Sequence, residues 1–288
     1  MLAVPAKVAG CREVILCTPC GKDGRVASAV LYAASFCGVD RIFKVGGAQA
    51  VAAMAYGTET VPAVDKIFGP GNRYVTKAKE AVSRKVAIDM PAGPSEVLVI
   101  ADETAVPVFV AADLLSQAEH GPDSQVILVC NTEALASEVM AQVEAQLEEL
   151  PRKEVAVKAL ESSRVIIIPS IEKQIEFVNA YAAEHLIISM KEPWLVAEKI
   201  TAAGSVFIGN YTPESAGDYA SGTNHTLPTS GWARSMSGVN LDSFVRKITY
   251  QEITAGGIRN LGNTIVTMAK AEGLDAHANA AIVRMKDL

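Results

Sequence analysis

An amide and an imidazole lie three residues apart in the stretch LLSQAEHGPDSQ at 114–125. Residues i and i+3 share one face of a helix, so Gln117 and His120 can point toward the same ligand. Apolar residues at helical spacing predict a helix from about Ala105 to the helix-breaking pair Gly121-Pro122. A Gln-x-x-His pair is also common by chance, as a polar helix end whose histidine caps carbonyl groups or faces water. The pair alone therefore leaves both a ligand site and an ordinary helix end open.

The chain has four histidines, and each lies in a polar segment flanked by turn residues. They are His120 after Gln117, His185 after Glu184, His225 at the end of DYASGTNH, and His277 between Glu272 and Asn279. Nitrogen and oxygen donors at Gln117, His120, Asp218 and His277 suit zinc, or a harder divalent metal such as manganese. Because no thiolate joins this set, a catalytic metal with open coordination positions fits better than a structural zinc.

Two glycine segments, KVGGAQ at 44–49 and FGPGN at 68–72, each close a predicted strand and open a predicted helix. Backbone N–H groups at such helix starts can receive phosphate. Neither segment has the G-x-G-x-x-G pattern of dinucleotide-binding proteins. Glycines that serve only a tight turn explain the two segments equally well.

The elements that would position these residues follow the order of an α/β protein. Apolar runs rich in β-branched residues alternate with segments of helical spacing, which is typical of a parallel sheet. Strands are predicted at Glu13–Cys17, Arg41–Val45, Val64–Phe68, Glu96–Ala101, Gln125–Cys130, Arg164–Pro169, Leu186–Met190 and Ser205–Gly209. A helix-like segment, MLAVPAKVAG, opens the chain with no strand ahead of it, so the first α/β unit is expected to be incomplete at its N-terminus.

The alternation restarts near Pro91–Pro94, where we place a domain boundary. The expected fold has two Rossmann-like parallel-sheet domains, residues 1–94 and 95–238, the second carrying the metal and catalytic residues. In residues 239–288 the alternation of strand-like and helix-like segments stops. This part of the chain is predicted to be helical, first over FVRKITYQEITAGG and then over the segment that follows. Because such a tail is too small for a core of its own, we expect it to pack on another surface, such as that of a second subunit.

The bulk composition excludes several classes of protein. Half of the 288 residues are hydrophobic, a fifth are charged, and the net charge is −6. This balance argues against a basic nucleic-acid surface and favours small molecules or other protein chains as partners. No apolar run is long enough to cross a bilayer, so no membrane association is expected.

The five cysteines are scattered, which indicates reduced thiols in a cytoplasmic protein rather than a disulfide framework. Cys17 and Cys20 form a C-x-x-C, but no second Cys pair or His pair lies at zinc-finger spacing. Chance spacing explains this motif better than a redox role, although the motif alone leaves both open.

Seven segments, taken in order, resemble the histidinol dehydrogenase family over essentially the whole chain. They are VGGAQA, KIFGPGN, DMPAGPSE, LLSQAEHGPDSQ, EHL, ESAGDYASGTNHTLPT and AEGLDAH. The resemblance implies a zinc-dependent, NAD-linked homodimer. It would oxidise L-histidinol to L-histidinaldehyde and then to L-histidine, the last two steps of histidine biosynthesis.

The resemblance also implies roles for individual residues. Gln117, His120, Asp218 and His277 match the zinc ligands, and Glu184 and His185 match the acid–base pair. His185 would take the alcohol proton and Glu184 would activate the water that adds to the aldehyde. The positions that match substrate contacts are Ser95, Gln117, His120, His185, Asp218, His225, Glu272 and His277, and those that match cofactor contacts are Gln49 and Asn72. The family's C-terminal segment crosses to the partner, which would place Glu272 and His277 in the other subunit's site.

Members of the family are longer at the N-terminus than this chain. The resemblance implies that the first half of the larger domain, the first strand of the smaller one and a cofactor-contacting tyrosine lie ahead of Met1 in them. Two explanations fit the shorter N-terminus. The chain is either a fragment of a normal enzyme or a short product that keeps the metal site.

Several functions therefore stay open on the sequence. One alternative is an active histidinol dehydrogenase. The others are a related dehydrogenase of another small alcohol and a non-catalytic remnant that binds metal or ligand. Ser95, His225 and Glu272 favour histidinol over other alcohols. An NAD-independent zinc hydrolase could also use the Glu184-His185 pair, but it would have no use for Gln49 and Asn72 at the glycine turns.

Overall fold

The computed structural model describes residues 1–90 and 93–286. The chain divides into two compact units, Met1–Val245 and Arg246–Leu288. The strands of the described ranges, all in the first unit, are β1 Ile15–Cys17, β2 Arg41–Phe43, β3 Lys66–Ile67, β4 Ala87–Ile88, β5 Glu96–Ala101, β6 Gln125–Cys130, β7 Arg164–Ile167, β8 His185–Ser189 and β9 Ser205–Ile208. The α-helices are α1 Ala3–Val8, α2 Ser28–Phe36, α3 Gly47–Tyr56, α4 Arg73–Val82, α5 Pro107–Ala118, α6 Glu133–Glu149, α7 Lys153–Glu161, α8 Ile171–Tyr181, α9 Pro193–Ala197, α10 Glu214–Tyr219, α11 Ala255–Ala271 and α12 Asp275–Lys286.

Five strands of the first unit form one parallel sheet in the order β7-β6-β5-β8-β9. Along the chain, β6 and β7 are added on one side of β5, and β8 and β9 are then added on its other side, as in doubly wound folds. Parallel pairing confirms the predicted α/β class. The register of β5 and β8 places Val97 beside His185, so β8 begins one residue before the predicted Leu186.

The core lies on both faces of this sheet. All six residues of β5 are buried, as expected for a parallel strand covered by helices on each side. On one face, the strands pack against α5 and α6 through Val110, Leu114 and Val139. On the other face, Ile175 and Val178 of α8 complete the packing. Each such side chain contributes about 1.5–3 kcal/mol to folding when it leaves water.

The strands ahead of Met90 are short and form two separate parallel pairs, β1 with β2 and β3 with β4. Helices α3 and α4 pack beside the second pair around Val51, Ile67 and Val82. The sequence did not predict β4, because its two residues leave too little periodicity to detect. The predicted domain boundary at Pro91–Pro94 includes Pro91 and Ala92, which lie outside the described residues.

Two predicted helices are partly wrong and one helix was not predicted. The sequence LVAEKITAAG at 195–204 predicts a helix, but α9 ends at Ala197. In the tail, Phe244 only ends a short 3₁₀ turn, and residues 246–254 are not helical. β-Branched side chains at Val245, Ile248 and Ile253 disfavour helix there, and the hydroxyl of Thr254 caps the start of α11 by accepting the Gly257 N–H at 3.1 Å. Helix α7 was not predicted.

The second unit is a pair of packed helices, α11 and α12, as the predicted helical tail requires. A β-carbon at Gly262 would overlap the side chain of Met285. Glycine at this position therefore allows the two helices to approach closely. Within the described ranges, every helix is too short or too polar to span a bilayer.

Candidate active site

The predicted acid–base pair lies where β8 begins. Glu184 and His185 are 6% and 4% exposed, and the backbone of Glu96, the first residue of β5, holds both side chains. The Glu96 N–H donates to Glu184 Oε2 at 3.0 Å, and the Glu96 carbonyl oxygen lies 3.2 Å from His185 Nδ1. The parallel register of β5 and β8 brings these atoms together.

The contact with Glu96 decides which nitrogen of His185 carries the proton. A backbone carbonyl can only accept a hydrogen bond, so Nδ1 must be the donor of a neutral ring. Nε2 then keeps its lone pair. Nε2 is buried and has no hydrogen-bond partner within the described part of the chain. The ring therefore presents an unoccupied proton acceptor to the site.

Burial sets the charge state of this pair. Desolvation is the largest influence on His185 and lowers its pKa to about 4, so the imidazole is neutral at pH 7. Desolvation also raises the pKa of Glu184 to about 8, with smaller increases from the charges of Glu96 and Asp218. Without a cation nearby, Glu184 holds a proton at neutral pH. A bound cation would favour its ionised form.

A second cluster joins the end of α5 to α10. His120, Glu214 and Asp218 each offer one ligand atom, and these three atoms lie within 4.8 Å of one another. Glu214 and Asp218 are four residues apart on α10 and so share one face of it. The carboxylate of Asp113, one turn before Gln117 on α5, accepts the backbone N–H of Glu214. This bond fixes the start of α10 against α5.

The buried polar atoms of this region fit a divalent cation. Gln117 is fully buried, and neither atom of its amide has a hydrogen-bond partner among the described residues. The same holds for both carboxylate oxygens of Glu214. Unpaired buried polar groups are costly unless something supplies their missing partner. An amide oxygen, an imidazole and carboxylates are together a donor set for zinc or manganese.

The remaining predicted residues of the first unit lie in different places. The Ser95 side chain hydrogen-bonds to the carboxylate of Glu184. His225 is exposed, in the segment that follows α10, and its charge acts on His185. Gln49 is exposed in the first turn of α3. Asn72 caps α4, because its side-chain oxygen accepts the N–H groups of Tyr74 and Val75 at 3.0 and 3.2 Å.

Two predicted residues belong to the second unit. Glu272 is exposed at the C-terminal end of α11, and His277 is exposed in the first turn of α12. His277 lines a cavity of about 480 Å³ within this unit, together with Ile258 and Arg284.

Sequence reasoning missed Glu96, Asp113 and Glu214. The Glu-x-x-x-Asp spacing after Pro213 could have indicated Glu214, since it places both carboxylates on one helical face. Glu96 gave no signal, because its contacts with Glu184 and His185 are made by its backbone. The location was also unexpected. Glu96 and His185 are the first residues of β5 and β8, so the site lies at the amino-terminal edge, whereas ligands of open α/β sheets usually bind at the carboxyl edge.

A neutral buried base, an adjacent carboxyl group and a cation-binding cluster on a parallel α/β scaffold are the features of a metal-assisted α/β enzyme that moves protons. The family model for histidinol dehydrogenase matches residues 1–285. The chain is 61% identical over 289 residues to the histidinol dehydrogenase of Bacteroides thetaiotaomicron, and the match covers all of this chain and 68% of that protein. It is 57% identical to the enzyme of Xanthomonas campestris, with 99% and 67% covered.

A solved structure agrees with these relatives. The crystal structure of histidinol dehydrogenase from Elizabethkingia anophelis superposes with a TM-score of 0.97 at 58% identity, covering 100% of this chain and 66% of that one. The chain belongs to the histidinol dehydrogenase family, the oxidoreductases that act in histidine biosynthesis. It spans about two thirds of the length of these relatives.

Proposed function

We propose that this protein catalyses the NAD-linked, four-electron oxidation of L-histidinol through L-histidinaldehyde to L-histidine, in the cytoplasm. The observation that carries the proposal is the orientation of His185. Its Nδ1 faces the Glu96 carbonyl oxygen, and its unpartnered Nε2 belongs to a ring that burial keeps neutral. A base of this kind can accept the proton of an alcohol at neutral pH.

In the first oxidation, His185 Nε2 takes the hydroxyl proton as the carbinol carbon loses its hydride. The imidazolium that forms keeps its Nδ1 hydrogen bond to Glu96, with the carboxyl groups of Glu184 and Glu214 at 3.7 and 3.8 Å from Nδ1. In their ionised forms, which a bound cation favours, these groups lower the cost of a positive charge in a buried position. NAD, when bound, accepts the hydride in each of the two oxidations.

In the second oxidation, the ionised carboxylate of Glu184 removes a proton from the water that adds to the aldehyde. The bond from the Glu96 N–H holds one oxygen of that carboxylate in place. As the water adds, the protonated His185 returns its proton to the aldehyde oxygen and becomes neutral again. The hydrate then loses a hydroxyl proton to His185 and a second hydride to NAD, which leaves the carboxylic acid of L-histidine, and this acid ionises to the carboxylate at neutral pH. One carboxyl group for water and one imidazole for the hydroxyl proton allow both steps to share a single site.

Gln117, His120 and Asp218 would hold the metal, with His277 as the fourth ligand. Zinc, or manganese as the alternative, would bind the amino and imidazole nitrogens of histidinol and so orient its alcohol. In this proposal Ser95, His225 and Glu272 contact the substrate, while Gln49 and Asn72 contact NAD. The protein acts as a homodimer in which the C-terminal segment brings Glu272 and His277 to the site of the other copy.

The test is the formation of NADH by the purified chain supplied with zinc, NAD and L-histidinol. We expect absorbance at the NADH band with histidinol and much less with other amino alcohols. Preference for another amino alcohol would favour a related dehydrogenase. Binding of zinc and histidinol by the folded chain without NADH would contradict the proposed activity and favour a ligand-binding role.

A further inference from the structure

The side chain of Glu96, the first residue of β5, contacts three other segments of the chain. Glu96 is 7% exposed. Its Oε1 accepts the Ser230 N–H at 2.9 Å, and its Oε2 lies 3.2 Å from the Tyr181 hydroxyl. The carboxyl group also accepts the backbone N–H of Glu184. Because the Glu96 N–H donates to the Glu184 carboxylate, these two residues are hydrogen-bonded in both directions.

The hydrogen bonds around Tyr181 determine the charge of Glu96. The Tyr181 hydroxyl lies 2.7 Å from Gln125 Oε1, and Gln125 Nε2 donates to the Ser162 carbonyl oxygen at 2.9 Å. A carbonyl oxygen only accepts, so the Ser162 contact fixes the Gln125 amide with its own oxygen toward Tyr181. Tyr181 must give its single hydroxyl hydrogen to that oxygen. The Tyr181 oxygen can then only accept from Glu96 Oε2, which therefore carries a proton.

Burial agrees with a neutral carboxyl group at this position. Desolvation is the largest influence on Glu96 and raises its pKa above the ordinary value. The titratable groups in contact with it, Tyr181 of α8 and Glu184 just before β8, bring no positive charge. A neutral Glu96 also places no like charge beside Glu184 when that residue ionises to activate water.

The Ser230 end of this network lies in a strained turn. Ser230 has a φ of +55°, a left-handed conformation that is uncommon for residues other than glycine. A β-carbon at Gly93 would lie 2.7 Å from Ser230 Oγ, so the turn packs closely on the segment that leads into β5. Such a conformation persists only where surrounding contacts hold it. The bond from the Ser230 N–H to Glu96 is one of these contacts.

We propose that Glu96 is a positioning residue for the acid–base pair. Its neutral carboxyl group joins α8, the turn at Ser230 and the backbone of Glu184, and so fixes the peptide groups that hold Glu184 and His185. The inference rests on the function proposed above, since it concerns the base of that reaction. The role of Glu96 is indirect, because His185 and Glu184 are the groups that exchange protons with substrate and water.

The kinetic test compares Glu96→Ala with Glu96→Gln. Glutamine can donate to the Tyr181 oxygen and accept the Ser230 N–H, which reproduces the hydrogen bonds of a neutral acid. We expect kcat to fall on the order of 100-fold in Glu96→Ala, since small displacements of reacting groups have effects of that size, with KM little changed. Glu96→Gln should restore most of this loss, and Glu144→Ala, on the exposed face of α6, is the matched control. Wild-type kcat in Glu96→Ala, or equal losses in both Glu96 variants, would overturn the proposal.

Two spectroscopic measurements separate positioning from a merely structural role. In protein labelled with ¹⁵N-histidine, we expect His185 to keep its Nδ1–H tautomer in Glu96→Gln and to exchange between both tautomers in Glu96→Ala, with His185→Asn identifying its signals. An unchanged tautomer in Glu96→Ala, with only a lower melting temperature, would overturn the proposal. The infrared spectrum of Glu96→Gln at pH 7 should lack one protonated-carboxyl band of the wild type, and loss of a carboxylate band instead would contradict the neutral form.

Tyr181→Phe provides a second variant where Glu96→Ala does not fold. It removes only the hydroxyl group and leaves the Glu96 proton without its acceptor, so kcat should fall, whereas Tyr211→Phe, at a residue that is 88% exposed, should match the wild type. Wild-type kcat and wild-type His185 signals in Tyr181→Phe would overturn the inference while the proposed function stands. If the wild-type protein forms no NADH from histidinol, the proposed function fails, and the tautomer and infrared measurements still test the position of His185 and the charge of Glu96.

Discussion

His185 Nδ1 lies 3.2 Å from the carbonyl oxygen of Glu96, so the backbone of one strand fixes the tautomer of a side chain on its neighbour. The same peptide segment holds Glu184 through the Glu96 N–H. Both reacting groups are thus oriented by the backbone of the neighbouring strand, and Glu184 also by the side chain of Ser95.

Replacing His185 with asparagine should abolish the oxidation of histidinol while leaving the zinc content unchanged. An asparagine amide can still donate to the Glu96 carbonyl, but it cannot accept a proton at neutral pH. The two measurements are NADH formation and bound zinc per chain. Loss of zinc from the variant would mean that His185 is itself a ligand, and would contradict its assignment as the base.

The metal-free protein should become less stable as the pH rises from about 5 toward 8. The folded state keeps Glu184 protonated up to a pKa of about 8, whereas the unfolded chain ionises it near its ordinary value of 4.5. The contribution of Glu184 to the free energy of unfolding is therefore complete below pH 4.5 and is lost as the pH rises through 8. Urea unfolding at several pH values should show a shallower decline for Glu184→Gln, and an identical decline would contradict the assigned shift.

The sequence predicted the parts of this site that depend on residue type and local spacing. The helical period predicted Gln117 and His120 within one helix ending at Gly121-Pro122. Gln117 does lie in the last turn of α5, whereas the helix ends at Ala118 and His120 lies just beyond it. Apolar β-branched runs located the strands of the large sheet, and the signal is clearest in the central strands β5, β6 and β8, which are covered on both faces. The resemblance to a family supplied the roles of Asp218 and His277, which no spacing within the chain connects to Gln117.

What the sequence could not predict depends on contacts between distant segments. The hydrogen bond between the Glu96 carbonyl oxygen and His185 Nδ1 depends on the register of two strands that are separated by more than eighty residues in the chain. Glu214 joined the cluster of His120 and Asp218 only when α10 was placed against α5. The segment 246–254 was mistaken for helix because its apolar residues recur at helical spacing, although its β-branched side chains favour an extended chain.

Replacing His277 with alanine should lower metal affinity if the C-terminal segment completes the site, as we propose. Removing one imidazole from a set of nitrogen and oxygen donors weakens zinc binding directly. His225→Ala is the matched control, since it should weaken the binding of histidinol but leave metal affinity intact. Zinc bound with unchanged stoichiometry and affinity in His277→Ala would remove this residue from the ligand set.

The turn proposed to contact NAD depends on a buried ion pair between Lys79 and Asp89. Lys79 Nζ also donates to the Gly69 carbonyl oxygen at 3.0 Å, and the Gly69 N–H donates to Asp89 Oδ2 at 2.8 Å. Lys79→Met would leave Asp89 buried without its cation, which costs about 3–5 kcal/mol of unfolding free energy. We also expect weaker binding of NAD, because Asn72 follows this turn.

An exposed pair on the same helix provides the control for Lys79. Lys77 and Glu80 form an ion pair at 2.6 Å, with the lysine side chain 78% exposed. Because water screens such pairs, Lys77→Met should change the unfolding free energy by less than about 1 kcal/mol. Equal losses in the two variants, measured by urea unfolding, would mean that burial of the Lys79–Asp89 pair is unimportant.

Gly204 should tolerate no side chain, because a β-carbon there would lie 2.5 Å from the carbonyl oxygen of Glu184. The Gly204 N–H donates to Ala183, and the next N–H, that of Ser205, donates to Glu184. Gly204→Ala must therefore displace the start of β8, which carries His185. We expect a fall in both melting temperature and NADH formation. Gly121→Ala is the control, since its β-carbon would meet only Ser124 Oγ at 3.9 Å, and wild-type turnover by Gly204→Ala would show that the pair can move without loss of function.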